Sequence, residues 1–258
     1  MEKITGKNND IIKGVKKLFT SSKLRREQGL FVLEGARLVF DVLNSFYEVK
    51  YFFVTEKSFE KYKESAKRLA DISEKAYLIS DDIADRLSET QSTQGIFAVC
   101  KMKNEDLKID LNGKYIALDN VQDPGNLGTI IRTADAFGID GIITGGGCDV
   151  FNPKVLRSSM GSVLRMKIKD SQVLASSLDD LRKSGMAVLG TSPDANAEKI
   201  TDVNFSGGCV CVIGNEANGI SDDVKESCSE IITIPMQGRA ESLNASIAAA
   251  VVMWEMLR

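Results

Sequence analysis

Apolar residues along this chain fall into two alternating patterns. Short continuous runs read as buried strands: FVLEG, VKYFFVT, AYLIS and GIFAVCKM in the first hundred residues, then YIALDN, DGIITGGG, MAVLGT, CVCVIGNE and EIITIPM. Between them, apolar residues recur every three or four positions, the spacing of an amphipathic helix. IIKGVKKLF, ARLVFDVLNS and FEKYKESAKRLADI show it early, and NLGTIIRTADAFG, KVLRSSMG, SLDDLRKSG and LNASIAAAVVMWEML later. In NLGTIIRTADAFG the apolar stripe is Leu127, Ile130, Ile131, Ala134 and Phe137. Apolar strands alternating with helices predict an α/β fold with a mainly parallel sheet. The polar stretch KNEDLKIDLNGK at 103–114 interrupts the alternation and reads as a linker. It predicts two domains, residues 1–105 and residues 106–258.

The longest apolar run, ASIAAAVVMW, is far shorter than the roughly 20 residues that span a bilayer, so it reads as a buried helix. The opening MEKITGKNND carries no apolar stretch, so no secretory leader is expected and the reading is cytoplasmic. Cys209 and Cys211 alternate inside an apolar run and belong on one face of a strand. With Cys100, Cys148 and Cys228 they read as reduced thiols. There is no histidine in the chain, which excludes Ser-His and Cys-His catalysis and any imidazole base. The net charge of −3 is unevenly spread. Lys3, Lys7, Lys13, Lys16, Lys17, Lys23, Arg25 and Arg26 face only Glu2, Asp10 and Glu27 within the first thirty residues. That basic N-terminal arm suits a phosphate backbone, or is a solvated amphipathic helix. Phe46, Tyr47, Tyr51, Phe52 and Phe53 suit base stacking less well than core packing, because they sit in or beside an apolar strand.

Three polar, glycine-bearing loops each follow an apolar strand: DNVQDPGNLG (119–128), GNEANG (214–219) and PMQGRAESLN (235–244). In open α/β sheets, ligands bind outside the C-terminal strand ends, where such loops lie. Familiar nucleotide motifs are missing. GGGCDV lacks the third glycine of a dinucleotide fingerprint, and neither Gly6-Lys7 nor Gly113-Lys114 is followed by Ser or Thr. Each loop feature also has an ordinary structural explanation. Asp123-Pro124-Gly125 makes a turn, Asn126 can cap the next helix, Arg132 lies off the apolar stripe, and Ser242 and Asn244 can cap the last helix.

Taken together, DNVQDPGNLGTIIRTADAFG, VIGNEANGI and IPMQGRAESLNASIAAA resemble the three signature motifs of the SpoU-type RNA ribose 2′-O-methyltransferases of the SPOUT superfamily. FNPKVLRSSMGSVLRMKI resembles the family segment between the first two motifs. FVLEGARLV and GIFAVCKM are similar to the ribosomal-protein-like substrate-binding domain often fused to the family. The resemblance implies a parallel sheet flanked by helices and tied in a trefoil knot, which chain physics alone does not predict. It implies S-adenosylmethionine as cofactor, held by residues matching Gly190, Thr191, Ile213, Gly214, Ile234, Met236 and Leu243. The family's reactive cluster matches Asn126, Arg132, Glu216, Ser242 and Asn244. Ala217 departs from the glycine usual in the second motif. No metal is expected, because the methyl donor is already activated. The implied partners are RNA, ribosomal RNA ahead of transfer RNA, and a second copy in a homodimer. A non-catalytic RNA-binding or ribosome-assembly protein is the competing reading. For the proton of the attacking hydroxyl, Arg132, Glu216 and the RNA phosphate all stay open. Arginine holds its own proton up to a pH of about 12, which favours a phosphate clamp for Arg132 over a base.

Overall fold

A computed structural model describes residues 1–6, 9–103, 107–194 and 196–258. Lys7 of the basic stretch and the expected domain boundary at 105/106 lie outside the described residues. The chain divides into two compact units, one formed by Met1–Lys103 with Phe151–Arg165, the other by Asn104–Val150 with Met166–Arg258.

The first unit holds β1 (Glu2–Ile4), α1 (Asp10–Thr20), α2 (Ser22–Gln28), β2 (Leu30–Glu34), α3 (Ala36–Asp41), β3 (Val49–Thr55), α4 (Glu56–Lys61), α5 (Lys63–Ile72), β4 (Lys75–Ile79), α6 (Asp81–Leu87) and β5 (Ile96–Lys101). Its sheet runs β1-β4-β3-β5-β2; β4 is parallel to β1 and β3, and β5 is antiparallel to β3 and β2. Phe52 and Phe53 are fully buried, and Phe53 stacks on Tyr77 with ring centroids 5.3 Å apart. Those aromatics are core, each worth about 1.5–3 kcal/mol of burial. Tyr47 is half-buried with its ring edge on Phe31. The basic N-terminal stretch is folded, not an extended arm. α1 turns Ile12, Val15, Leu18 and Phe19 into the core, which leaves Lys13 and Lys17 exposed, while the half-buried Lys16 is bonded to Glu89 and to the Leu87 and Ser88 carbonyls. Arg25 is 2% exposed and donates to the carbonyls of Leu18 and Phe19, so it is withdrawn from any surface charge. The segment 151–165, with its short helix α8 (Pro153–Ser158), packs in this unit, where Phe151 stacks on Phe31 at 4.4 Å.

The second unit holds β6 (Lys114–Asp119), α7 (Pro124–Phe137), β7 (Gly141–Gly145), β8 (Ile168–Asp170), α9 (Leu174–Lys183), β9 (Ala187–Thr191), β10 (Glu198–Lys199), β11 (Cys209–Ile213), α10 (Asp222–Ser227), β12 (Glu230–Thr233) and α11 (Ala245–Leu257). The strand order is β10-β12-β9-β11-β6-β7-β8, and every pairing is parallel. β11 is buried at all five positions, Cys209 and Cys211 included, and β6 at five of six. Strands covered on both faces need apolar residues throughout, which is what the continuous runs express. All five cysteines are free thiols. Among the described residues no helix is long and apolar enough to cross a membrane.

From β6 the chain moves outward through β7 and β8, then reappears on the other side at β9 and fills in β11 between them. The order therefore reverses beside β6, and the loops after β6 and β11 emerge next to each other at their C-terminal ends. That is the crevice where open α/β sheets place ligands. Two tight approaches shape it. Asn120 takes a left-handed φ of 54° as the chain leaves β6, a conformation asparagine tolerates better than most residues. Gly147, at φ 79°, passes so close that a Cβ would stand 2.3 Å from the Val121 carbonyl oxygen. G147A should cost about 2 kcal/mol or more, combining left-handed strain with the clash. Chemical denaturation that showed no loss of stability would contradict this close approach.

Candidate active site

The first and second polar loops are joined by hydrogen bonds centred on Glu216. Its Oε2 accepts the backbone N–H of Gln122 at 3.1 Å, and its Oε1 accepts that of Asp123 at 3.1 Å. Oε1 also accepts Nδ2 of Asn126 at 2.9 Å. Asn126 in turn accepts Nδ2 of Asn244 from the third loop through its own Oδ1, at 2.9 Å. Three segments far apart in sequence thus meet in one chain of bonds, Glu216–Asn126–Asn244.

Local structure explains why these side chains are available. α7 is capped by Asp123, whose Oδ1 accepts the Asn126 N–H at 2.8 Å, and Pro124 occupies the first turn. Because Asp123 takes the cap, the Asn126 amide is left for the cluster. Asn244 does cap a helix: its Oδ1 accepts the N–H groups of Ser246 and Ile247 at the start of α11. Its Nδ2 remains for Asn126, so one residue does both jobs.

Glu216 carries a shifted pKa. Burial pushes the carboxyl up, but the hydrogen bonds from Asn126 and from the backbone N–H groups of Gln122, Glu216 and Asp123 outweigh it. The net position lies below the ordinary value of 4.5. A carboxylate held ionised by several donors is a poor proton acceptor. Its geometry suits orientation of Asn126.

Beside the cluster lies a cleft of about 360 Å³. Its walls include Thr191, Ile213, Gly214, Ile234, Met236, Ser242, Leu243 and Ala248, together with the loop 215–220. Six of the seven positions expected to hold cofactor stand on this wall, and so does Ser242. Gly190 does not. It is buried inside β9, and a Cβ there would strike Ile220, Ile231 and Cys228 at under 3 Å. Its missing side chain makes room for core packing. Gly214 serves a close approach of its own loop, since a Cβ would lie 2.1 Å from the Gly219 carbonyl carbon. Thr191 ties β9 to β11 by donating its hydroxyl to the Val212 carbonyl at 2.7 Å.

Arg132 is not bonded to the cluster. It lies six residues beyond Asn126 on α7, about 120° around the helix. It is exposed and makes no hydrogen bond or ion pair among the described residues. Sequence reasoning passed over Asn120 and Asn215, which join the same two loops: Asn215 Nδ2 donates to the Asn120 carbonyl at 2.9 Å. An asparagine within two residues of the end of a buried strand was the available signal, present at both positions.

Residues 113–254 match the SpoU rRNA Methylase family. The chain belongs to that family. It is an S-adenosylmethionine-dependent RNA methyltransferase, and residues 9–98 match the MRM3-like substrate binding domain. The enzyme is 35% identical over 259 residues to the 23S rRNA (guanosine(2553)-2′-O)-methyltransferase RlmP of Bacillus subtilis, covering 99% of each chain. It is 32% identical to an uncharacterized tRNA/rRNA methyltransferase of Synechocystis, over 99% of this chain and 93% of that one. A solved structure of an AdoMet-bound rRNA methyltransferase from Sinorhizobium meliloti superposes with a TM-score of 0.86 at 28% identity, covering 99% of this chain and 97% of that one.

The cleft fits S-adenosylmethionine on its own chemistry. Its volume lies in the range of about 300–1,000 Å³ usual for small-molecule sites. Ile213, Ile234, Met236 and Leu243 supply apolar walls for a flat purine, and the strand-end loops supply backbone donors and acceptors.

The Glu216 carboxylate accepts from N–H donors that an amide nitrogen at the same place would oppose. E216Q should therefore lower kcat about tenfold to hundredfold by loosening Asn126. The sign with pH follows from a lowered folded value. Glu216 contributes stability above the ordinary carboxylate range and loses it as pH falls through that lowered value. The wild-type enzyme should accordingly unfold on acidification along a steeper limb than E216Q, and identical acid limbs by circular dichroism would refute the role.

Proposed function

We propose that the enzyme transfers a methyl group from S-adenosylmethionine to the 2′-hydroxyl of a ribose in ribosomal RNA, as a cytoplasmic homodimer. The observation that carries this reading is the Glu216–Asn126–Asn244 chain set against the cleft. The full-length likeness to a 23S rRNA enzyme supports ribosomal RNA as the substrate. The matched substrate-binding domain supports a first unit that selects it. Return of the chain from β12 past the loop 214–219 to α11 supports the trefoil threading that the family resemblance implies.

When bound, S-adenosylmethionine supplies a methyl group on a positively charged sulfur, already electrophilic towards an oxygen. The chain's own task is to aim the ribose oxygen and accommodate charge. Thr191, Ile213, Gly214, Ile234, Met236 and Leu243 hold the cofactor by shape and backbone groups. Asn126 and Asn244, oriented by Glu216, present amides towards the RNA, and Ser242 lines the same wall. Glu216 is the orienting residue and not the base, because its lone pairs are engaged and its proton affinity is lowered. Arg132 clamps the phosphate next to the target ribose, and that phosphate is the nearby group able to accept the proton.

Arg132 reaches that position from the partner protomer. Two observations support this. Within one chain it lies about 120° around α7 from Asn126, and no hydrogen bond joins it to the cluster among the described residues. And α11 leaves Ile247 52% and Trp254 60% exposed, with Trp254 6.0 Å from Phe137 of α7. An apolar face over α7 and α11 is what a second copy would cover, and α7 carries Arg132.

R132A should lose about a hundredfold or more in kcat with cofactor affinity unchanged, and R132K should recover only part of it. The test uses labelled S-adenosylmethionine and ribosomal RNA from cells lacking the gene. Mixing the impaired R132A and E216Q protomers then tests sharing between subunits, read as a gain over the sum of their residual rates. A site built across the interface regains one intact centre in each mixed dimer, and activity should return. No recovery, with mixed dimers demonstrated, would place Arg132 in its own chain's site.

A further inference from the structure

Asn215 uses its whole side chain. Nδ2 donates to the carbonyl of Asn120 at 2.9 Å, while Oδ1 accepts the N–H groups of Ala217 at 2.9 Å and Asn218 at 3.1 Å. Its backbone pairs both ways with Gly219, at 2.8 and 3.0 Å. The oxygen faces two donors and the nitrogen faces an acceptor, so the orientation of the amide is fixed by its partners. No other residue of this size supplies one donor and one double acceptor together.

The two ends of this arrangement matter for different reasons. On its own loop, the oxygen closes the turn 215–219, which carries Glu216 and lines the cofactor cleft. On the other loop, the nitrogen holds Asn120 in its left-handed conformation. Gln122 and Asp123 follow two and three residues later, and these are the residues whose N–H groups grip Glu216. Adjacent residues on one loop therefore hold the opposite loop at two points, Asn215 at its start and Glu216 further along.

We propose that Asn215 is a positioning residue for methyl transfer, clamping the loop after β6 to the loop after β11 so that Glu216 can orient Asn126. It touches neither reacting atom in this role. The inference rests on the function proposed above.

N215D separates the two halves of the amide. It keeps an oxygen for Ala217 and Asn218 but turns a second oxygen towards the Asn120 carbonyl. At neutral pH kcat should fall about tenfold to hundredfold, while calorimetry gives cofactor affinity close to wild type. Protonation of the introduced carboxyl restores a donor towards Asn120. The ratio of N215D to wild-type activity should therefore stay flat near neutrality and climb as pH is lowered from about 6 towards about 4, where an aspartic acid takes up its proton. N215A removes both halves and should show a deficit with no such recovery. Wild-type kcat in N215D, or a deficit that stays constant with pH and equals that of N215A, overturns the clamp. Wild type assayed in parallel keeps the two readings apart. A wild type that transfers no label overturns the proposed function as well, whereas a result confined to the variants speaks only to Asn215.

Discussion

The catalytic unit depends on one carboxylate meeting two backbone N–H groups across a gap between parallel strands. β6 and β11 lie side by side, and each releases a loop at the same edge. Loops at such an edge have unsatisfied N–H groups and no ladder to fill them. Glu216 fills two of these and adds the Asn126 amide. Hydrogen bonds to a charged group are roughly twice as strong as neutral ones, an advantage that water reduces at the exposed Glu216. Without that anion, Gln122 and Asp123 lose their acceptor and Asn126 loses its orientation. Asp119 reinforces the same edge, accepting the Ser221 N–H at 2.6 Å. The site is therefore organised before any ligand arrives, which is how electrostatic preorganisation is achieved without reorganisation during reaction.

Much of the framework was legible in the chain, for identifiable reasons. CVCVI and YIALD are apolar at nearly every position because they are buried on both faces, and that pattern has few competing explanations. α2, α6 and α10 escaped notice because six or seven residues rich in charge, such as SKLRREQ and DDVKES, leave too little apolar periodicity to read. Residues 59–72 read as one helix, but the chain breaks at Tyr62 into α4 and α5. Packing of 151–165 with the first unit was equally hidden, since stacking of Phe151 on Phe31 is a contact of high sequence separation.

The site residues divide along the same physical line. Polar loops following apolar strands marked the three segments, but Asn126, Glu216, Ser242 and Asn244 were legible within them only through the resemblance to the family motifs. What the pattern could not resolve was which side chain caps a helix and which is left over. Asp123, not Asn126, takes the cap of α7, and Asn244 serves both purposes. Gly190 illustrates the opposite ambiguity. A glycine at the end of a strand beside a ligand site suggests close approach by the ligand, yet here the approach is by Ile220, Ile231 and Cys228. Only the three-dimensional neighbours distinguish the two.

Chemistry without an imidazole constrains what remains. The chain has no histidine, and a guanidinium is a donor with no acceptor to offer. Glu216, the carboxylate of the cluster, is committed to donors that lower its proton affinity. A site assembled in this way is poor at removing a proton and good at fixing positions. That balance suits a reaction whose electrophile is activated before it binds. The remaining demand is an attacking oxygen aligned with a methyl group. α7 presents Asn126 to the cluster and carries Arg132 about 120° further round the same helix.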